Sequence, residues 1–354
     1  MSTEDESTQK IRTLIEKLVK SPDWQVRLDS ILADNGFRML RQVETTPFPT
    51  VTDPDRLARA RHGVILDSET TGVDVTKDKV IQASMLRFTY DEDGILALGA
   101  VFDRYNDPGI PIPAEVTSIT GITDEMVAGK KIEDRELQQF LEGVDIVVAH
   151  NADFDRKMME RNFPGAGFQD MAWHCSIAQV DWKARGENNK TLELLALHAG
   201  YVYQAHNALS DITTTAYVIN SRLGDGPTVF TEMLANGSQD KIMLLAADIK
   251  FGHNDTLKAG GFLWSGDIGE STFGVKKVWH KTLKDDPAAL AEAAELLRKV
   301  YGKDVSINSF RIGATERYSM RRPPREELFR TAEVVRMRDA LDQAIHEPIQ
   351  PMLI

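Results

Sequence analysis

Two strand-forming runs, Val80 to Tyr90 and Ile95 to Tyr105, flank the tetrapeptide Asp91-Glu92-Asp93-Gly94. A polar turn ending in glycine between two such runs is a strong hairpin signal, so the chain commits to a long antiparallel pair. The short apolar run Gly63-Val64-Ile65-Leu66 precedes the hairpin, and Asp145-Ile146-Val147-Val148-Ala149 follows it as a buried-type strand. Helical patterns sit between and after them, at Asp134 to Leu141, from near Asn151, at Thr191 to His198 and at Ala208 to Ile219. Antiparallel strands followed by alternating helix and strand predict an α/β unit on a mixed sheet.

Around that unit, expected over residues 59–224, the chain divides into two further parts. Residues 1–58 read as a helical N-terminal segment. Ile11, Leu14, Ile15 and Leu18 recur at helical spacing, and a second helix opening at Ser21-Pro22-Asp23 carries Trp24, Val26, Leu28, Ile31 and Leu32 until Asn35-Gly36 stops it. Pro47, Pro49 and Pro54 then mark a connector. Gly224-Asp225-Gly226-Pro227 closes the central unit, and residues 228–354 predict a small α+β accessory domain. Its expected elements are a strand from Ile242 to Phe251, a short helix, strands near Phe262, Val278 and Val305, a helix from Pro287 to Tyr301, and a charged helix from Arg325 to His346.

Composition removes several classes. At 42% hydrophobic and 27% charged residues, the 354-residue chain is neither collagen-like, nor largely disordered, nor a coiled coil. Ile242 to Ala247, among its longest apolar runs, is too short to span a bilayer, and the acidic start Met1 to Glu6 is unlike a secretory leader. A single cysteine, Cys175, excludes an internal disulfide and a thiolate zinc site. A soluble, cytoplasmic protein is expected. The net charge of −12 is unevenly spread: residues 228–354 hold 18 Lys+Arg and 18 Asp+Glu, leaving 24 against 36 before them. Part of that acidic surplus falls inside three motifs.

The first motif, Asp67-Ser68-Glu69-Thr70-Thr71-Gly72, ends the strand that begins at Gly63. Side chains two apart on a strand share a face, so Asp67 and Glu69 present converging carboxylates, an unfavourable arrangement without cations and a good one for hard Mg²⁺ or Mn²⁺. A strand end running into a polar turn would look the same. The second, His150-Asn151-Ala152-Asp153-Phe154-Asp155, lies where a strand meets a helix, the edge at which open α/β sheets bind ligands. Asn151 or Asp153 is expected to cap that helix, leaving Asp155 available as a ligand. In the third, His206-Asn207-Ala208-Leu209-Ser210-Asp211, Asp211 borders the apolar stripe Ala208, Ile212, Ala216 and Ile219, and His206 could act as a base or simply be a solvated residue.

In this order and at these separations the three motifs resemble the DEDDh group of 3′–5′ exonucleases, the DnaQ-like family, over residues 61–222. That family includes proofreading subunits of bacterial replicases, exonuclease X, RNase T and oligoribonuclease. Ile119-Thr120-Gly121-Ile122-Thr123 resembles the family's segment between the first two motifs. The resemblance implies a ribonuclease H-like fold: a mixed five-stranded sheet flanked by helices. It also implies that Asp67, Glu69, Asp155 and Asp211 hold two divalent ions and that His206 takes the proton from the attacking water. Thr70, Thr71, Asn151 and Phe154 would then position the 3′-terminal nucleotide. The implied reaction is hydrolysis from the 3′ end of DNA, single strands preferred, releasing nucleoside 5′-monophosphates. The alternatives are RNA trimming of the RNase T or oligoribonuclease type, or a polymerase-associated nucleic-acid-binding protein with secondary nuclease activity. A polymerase or repair partner is left unidentified.

Candidate phosphate contacts are Lys130, Lys131, Arg156, Lys157, Arg161 and Lys190 beside the motifs, each of which also reads as solvated surface charge, and a C-terminal cluster that includes Arg311, Arg317, Arg321, Arg322 and Arg325. Trp264 and Trp279, on short strands near basic residues, read either as core or as a stacking platform for single-stranded nucleic acid.

Overall fold

In the computed structural model, which describes residues 9, 13, 24–205, 207–224, 226–249, 252–265, 277–321 and 326–346, the hairpin forms one side of a five-stranded sheet. The chain enters through α1 (Trp24–Asp34), β1 (Arg41–Gln42) and α2 (Pro54–Leu57), then forms β2 (Arg61–Thr70), β3 (Val80–Asp91) and β4 (Gly94–Tyr105). Three short helices follow: α3 (Ala114–Thr120), α4 (Asp124–Val127) and α5 (Asp134–Leu141). β5 (Ile146–Ala149), α6 (Ala152–Asn162), β6 (Ala172–Cys175), α7 (Leu192–Ala199), β7 (Tyr201–Val202) and α8 (Ala208–Asn220) complete the unit. Strand order is β4-β3-β2-β5-β6, with β2, β3 and β4 antiparallel and β5 and β6 parallel to β2.

Alternation along β2 explains its buried, nearly continuous apolar run. Val64 and Leu66 face a core shared with Met158, Met159 and Trp173, whereas Ile65 faces Ile212, Ala216 and Ile219 of α8. The mixed five-stranded α/β sheet is the one expected from the sequence. β6, with Trp173 and His174 both buried, is too short and mixed in character to show a pattern of its own.

Three expectations are corrected. Helix α9 (Val229–Ser238) lies beyond the expected boundary yet belongs to the first core: Phe230 packs edge-on to Phe88 and Tyr90 at ring separations of 5.7 and 5.3 Å, and Val229 and Met233 are buried beside it. The lead-in is not simply helical. β1 pairs in parallel with β7, Phe48 packs edge-on to Tyr217 at 5.1 Å, and the Tyr217 hydroxyl donates to the Thr46 carbonyl, strapping the segment over α8. Its first expected helix lies outside the described residues apart from Gln9 and Thr13. The final helix starts at Thr331 rather than Arg325, because Glu326–Arg330 is a strand.

The second unit holds β8 (Lys241–Ala246), α10 (Asn254–Ala259), β9 (Leu263–Ser265), β10 (Val278–Lys284), α11 (Pro287–Tyr301), β11 (Ser306–Ile312), β12 (Glu326–Arg330) and α12 (Thr331–His346). Its antiparallel sheet has the order β12-β11-β8-β10-β9. α11 starts where Asp286 accepts from the amides of Ala288 and Ala289 with Pro287 in the first turn, and it ends at Gly302 with φ 69°. Trp279 is core, while Trp264 on the edge strand is half exposed, with its ring 5.3 Å from that of Trp279.

Replacing Phe230 with Ala removes a fully buried ring and is expected to destabilise the first unit by about 3–5 kcal/mol, read as a lowered urea midpoint. An unchanged midpoint would contradict the assignment of α9 to that core.

A candidate active site at the carboxyl ends of β2 and β5

β2 delivers two acids to one place. Its alternation turns Asp67 and Glu69 to the same face, and the register slips between Glu69 and Thr70, a bulge that ends regular pairing at the site. Asp211 arrives from the first turn of α8, whose N-cap Asn207 accepts from the Ser210 amide. One carboxylate oxygen from each of Asp67, Glu69 and Asp211 lies within 4.8 Å of the other two. Asp155, in the first turn of α6, is buried and accepts from Ser68 Oγ at 2.8 Å. All four acids line an open cleft of about 630 Å³, together with Phe154, Ile177, Leu192 and Tyr203.

This crowding raises the affinity of the acids for protons. Burial pushes Asp67 well above the usual carboxylate range, and the charges of Asp155, Glu69 and Asp211 push it further. Asp155 is raised to about 7, chiefly by burial and against the stabilising Ser68 bond. Burial and the neighbouring Asp211 charge likewise raise the Tyr203 phenol. Oxygen-only donors that are costly to ionise together form a donor set suited to hard divalent cations, whose charge would offset that cost.

The cleft's rim is fixed by a histidine that sequence reasoning left without a role. His150 Nε2 lies 2.8 Å from the Lys190 carbonyl, an acceptor, so Nε2 carries the proton and Nδ1 accepts from Ser176 Oγ at 2.6 Å. Burial lowers its pKa, so the neutral imidazole ties the end of β5 to the loop carrying Lys190, which is exposed at the cleft. Asn151 adopts φ 105°, uncommon for a residue with a side chain.

Residues 64–219 match the family described as RNase_T, Exonuclease. DNA polymerase III subunit epsilon of Aquifex aeolicus is 31% identical over 161 residues, 44% of this chain and 77% of that protein. The chain belongs to the DnaQ-like exonuclease family. A DNA polymerase III PolC-type protein of Listeria innocua is 36% identical over 163 residues, covering 44% of this chain and 11% of that protein; the chain thus spans about a tenth of the PolC-type relatives' length. A solved E. coli ExoI–ssDNA complex in a zinc-bound form is 14% identical, with a TM-score of 0.42 over 63% of each chain.

Within this exonuclease domain the structure gathers some expected residues and removes others. Asp67, Glu69, Asp155, Asp211, Asn151 and Phe154 line the cleft, although Asp155 stands apart from the 4.8 Å trio. His206 and Arg322 lie outside the described residues. The Thr70 and Thr71 hydroxyls are engaged within the turn: that of Thr70 donates to the Gly72 carbonyl at 2.6 Å, and that of Thr71 donates to Asp78 and accepts from the Lys79 amide. Their hydroxyls build the turn, and a Cβ at Gly72 would come 2.5 Å from Asp78 Oδ2 and displace the carboxylate that holds the turn. Asn151 occupies the N-cap position of α6, as one of the two expected caps, but its side chain makes no capping bond; Asp153 pairs with Lys157 at 2.7 Å.

Arg156 and Arg317 are corrected as phosphate contacts, since both are buried between the two units and Arg156 is hydrogen-bonded to protein acceptors. Arg321 remains half exposed, with its guanidinium on the Gln169 carbonyl. Among the described residues, no helix is long and apolar enough to cross a membrane.

Because the folded state holds the Asp155 proton up to about 7 rather than the ordinary 3.8, it binds that proton more tightly than the unfolded chain does. Stability from this group is therefore lost as pH rises through that window. Without divalent cations the protein is expected to gain more Tm from Asp155→Asn at about pH 8 than at about pH 5, and added Mg²⁺ should raise the wild-type Tm most at the higher pH. A substitution effect independent of pH would contradict the shift.

Proposed function

We propose that this protein is a divalent-metal-dependent 3′–5′ exonuclease that acts on DNA, prefers single strands and releases nucleoside 5′-monophosphates. The observation that carries the reading is the convergence of Asp67, Glu69 and Asp211 within 4.8 Å beside buried Asp155 in one open cleft. These four acids would hold two Mg²⁺ or Mn²⁺ ions. When bound, such ions neutralise phosphate charge and lower the pKa of water.

The chain's own residues then bind, orient and move one proton. Phe154, Ile177 and Leu192 offer an apolar wall on which a terminal base rests, and such contacts tolerate any base. Lys190 at the rim pairs with a phosphate and the exposed Asn151 side chain orients the terminal sugar. His206, five residues before Asp211, accepts the proton of the attacking water. The water oxygen bonds to phosphorus, the bond from phosphorus to the 3′ oxygen breaks, and that oxygen takes a proton from solvent to become the new 3′ hydroxyl, while His206 returns its proton to solvent. Single strands suit a cleft that must take a frayed end.

The relatives' names, DNA polymerase III PolC-type and DNA polymerase III subunit epsilon, support a replication or repair setting with a polymerase partner. The test is digestion of 5′-labelled single-stranded DNA, duplex DNA and single-stranded RNA of matched sequence, with Mg²⁺ and with EDTA. The expected result is a ladder shortening from the 3′ end, fastest on single-stranded DNA and absent with EDTA or in Asp67→Ala. His206→Ala should lower turnover by about 10²–10⁴-fold in a folded protein. Faster loss of RNA would transfer the protein to the RNA-trimming group, and no digestion of any substrate would overturn the reading.

A further inference from the structure

Arg156 follows Asp155 directly on α6 and is fully buried despite its charge. A buried guanidinium persists when it is neutralised and its planar fork of donors is satisfied. Here Nε donates to Glu160 Oε1 at 2.8 Å, Nη1 to the Arg317 carbonyl at 2.8 Å, and Nη2 to the carbonyls of Thr315 at 2.7 Å and Gln169 at 3.2 Å. The Trp173 ring lies beneath it, 5.7 Å from the guanidinium carbon to the ring centroid.

Two of those acceptors belong to the turn at 313–321 that follows β11 of the second unit. The turn is self-braced: the Gly313 amide donates to Glu316 Oε2 at 3.0 Å, and Tyr318 is held at φ 69°. It also docks through one backbone bond and through the same Glu160 carboxylate that Arg156 pairs with. The Trp173 amide on edge strand β6 donates to the Ala314 carbonyl at 2.9 Å, and Ser319 Oγ donates to Glu160 Oε2 at 2.6 Å.

We infer that Arg156 is a positioning residue through which the second unit sets the orientation of Asp155, making the turn at 313–321 part of the catalytic apparatus. Successive residues lie about 100° apart around a helix, so locking the Arg156 fork to fixed carbonyls fixes the rotation of α6. That rotation points Asp155 at Ser68 and the cleft. A lysine at 156 would keep the charge but could not reach these acceptors in one plane. The inference rests on the nuclease reading of the acidic cleft.

The test compares full-length Arg156→Lys with Arg185→Lys. Arg185 is the matched control, a buried arginine that donates to Glu232 at 2.6 Å and to the carbonyls of Leu223 and Pro227, away from the cleft. Both variants are expected to lose Tm. Only Arg156→Lys should lose kcat on single-stranded DNA, by about tenfold or more with KM within about twofold, since misplacement of about 1 Å at a reacting centre can cost about 10²-fold. Calorimetric titration of the chains with Mn²⁺ alone should show about fivefold weaker binding for Arg156→Lys and unchanged binding for Arg185→Lys, on the same reasoning. Ser319→Ala, a milder cut of the same contact, should lower kcat in the same direction. Matching kcat and Mn²⁺ affinity in the two lysine variants would overturn the inference. A wild-type chain that degrades no nucleic acid would instead sink the nuclease reading, and the Mn²⁺ titrations would still decide whether Arg156 positions the acids.

Discussion

Three carboxylates whose oxygens approach within 4.8 Å of each other are the constraint around which the first unit is arranged. At an effective dielectric of about 20, each such pair of full charges repels by about 3 kcal/mol. A surface loop would relieve that repulsion by moving apart. β2 cannot: it is the sheet's central strand, paired along its length with β3 and over its apolar run with β5, and buried on both faces. α8 is equally fixed, with Ile212, Ala216 and Ile219 in the core below Asp211. Rigidity therefore holds the charges together, and the remaining ways to lower their energy are to bind protons or to bind cations. The raised pKa values of Asp67 and Asp155 express the first route.

The second unit bears on the same centre through backbone chemistry. Carbonyls of its turn receive a buried guanidinium from the helix that carries Asp155. A buried ion pair adds little net stability, but it specifies geometry because a misplaced guanidinium would leave buried donors unsatisfied. The inter-unit contact is thus better suited to fixing an angle than to adding strength.

Much of this architecture was legible in the sequence because its signals were local. The 91–94 turn, the apolar runs of β2 and β5 and the stripe of α8 each declare their element, and α5 spans the predicted Asp134–Leu141. The acids were legible as well, since alternation on a strand and the step along a helix turn fix where Asp67, Glu69 and Asp211 point. What could not be read depended on distant partners. β12 is a strand because Phe329 pairs opposite Ile307, and α9 joins the first core because Phe230 meets Phe88 and Tyr90. Arg156 looked like a surface cation because nothing in its neighbourhood of the sequence announces carbonyls arriving from residues 315 and 317. That the Thr70 and Thr71 hydroxyls serve the turn could not be read because the roles of Gly72 and Asp78 in it are a matter of close approach, which spacing does not reveal.

The central claim is that the acidic trio is held together for cations. It is tested most directly by crystals of the full chain soaked with Mn²⁺ and measured at a wavelength where manganese scatters anomalously. The account predicts anomalous density among Asp67, Glu69 and Asp211, with Asp155 turned toward it. Density found elsewhere, or none at saturating Mn²⁺ with the carboxylates still clustered, would contradict it.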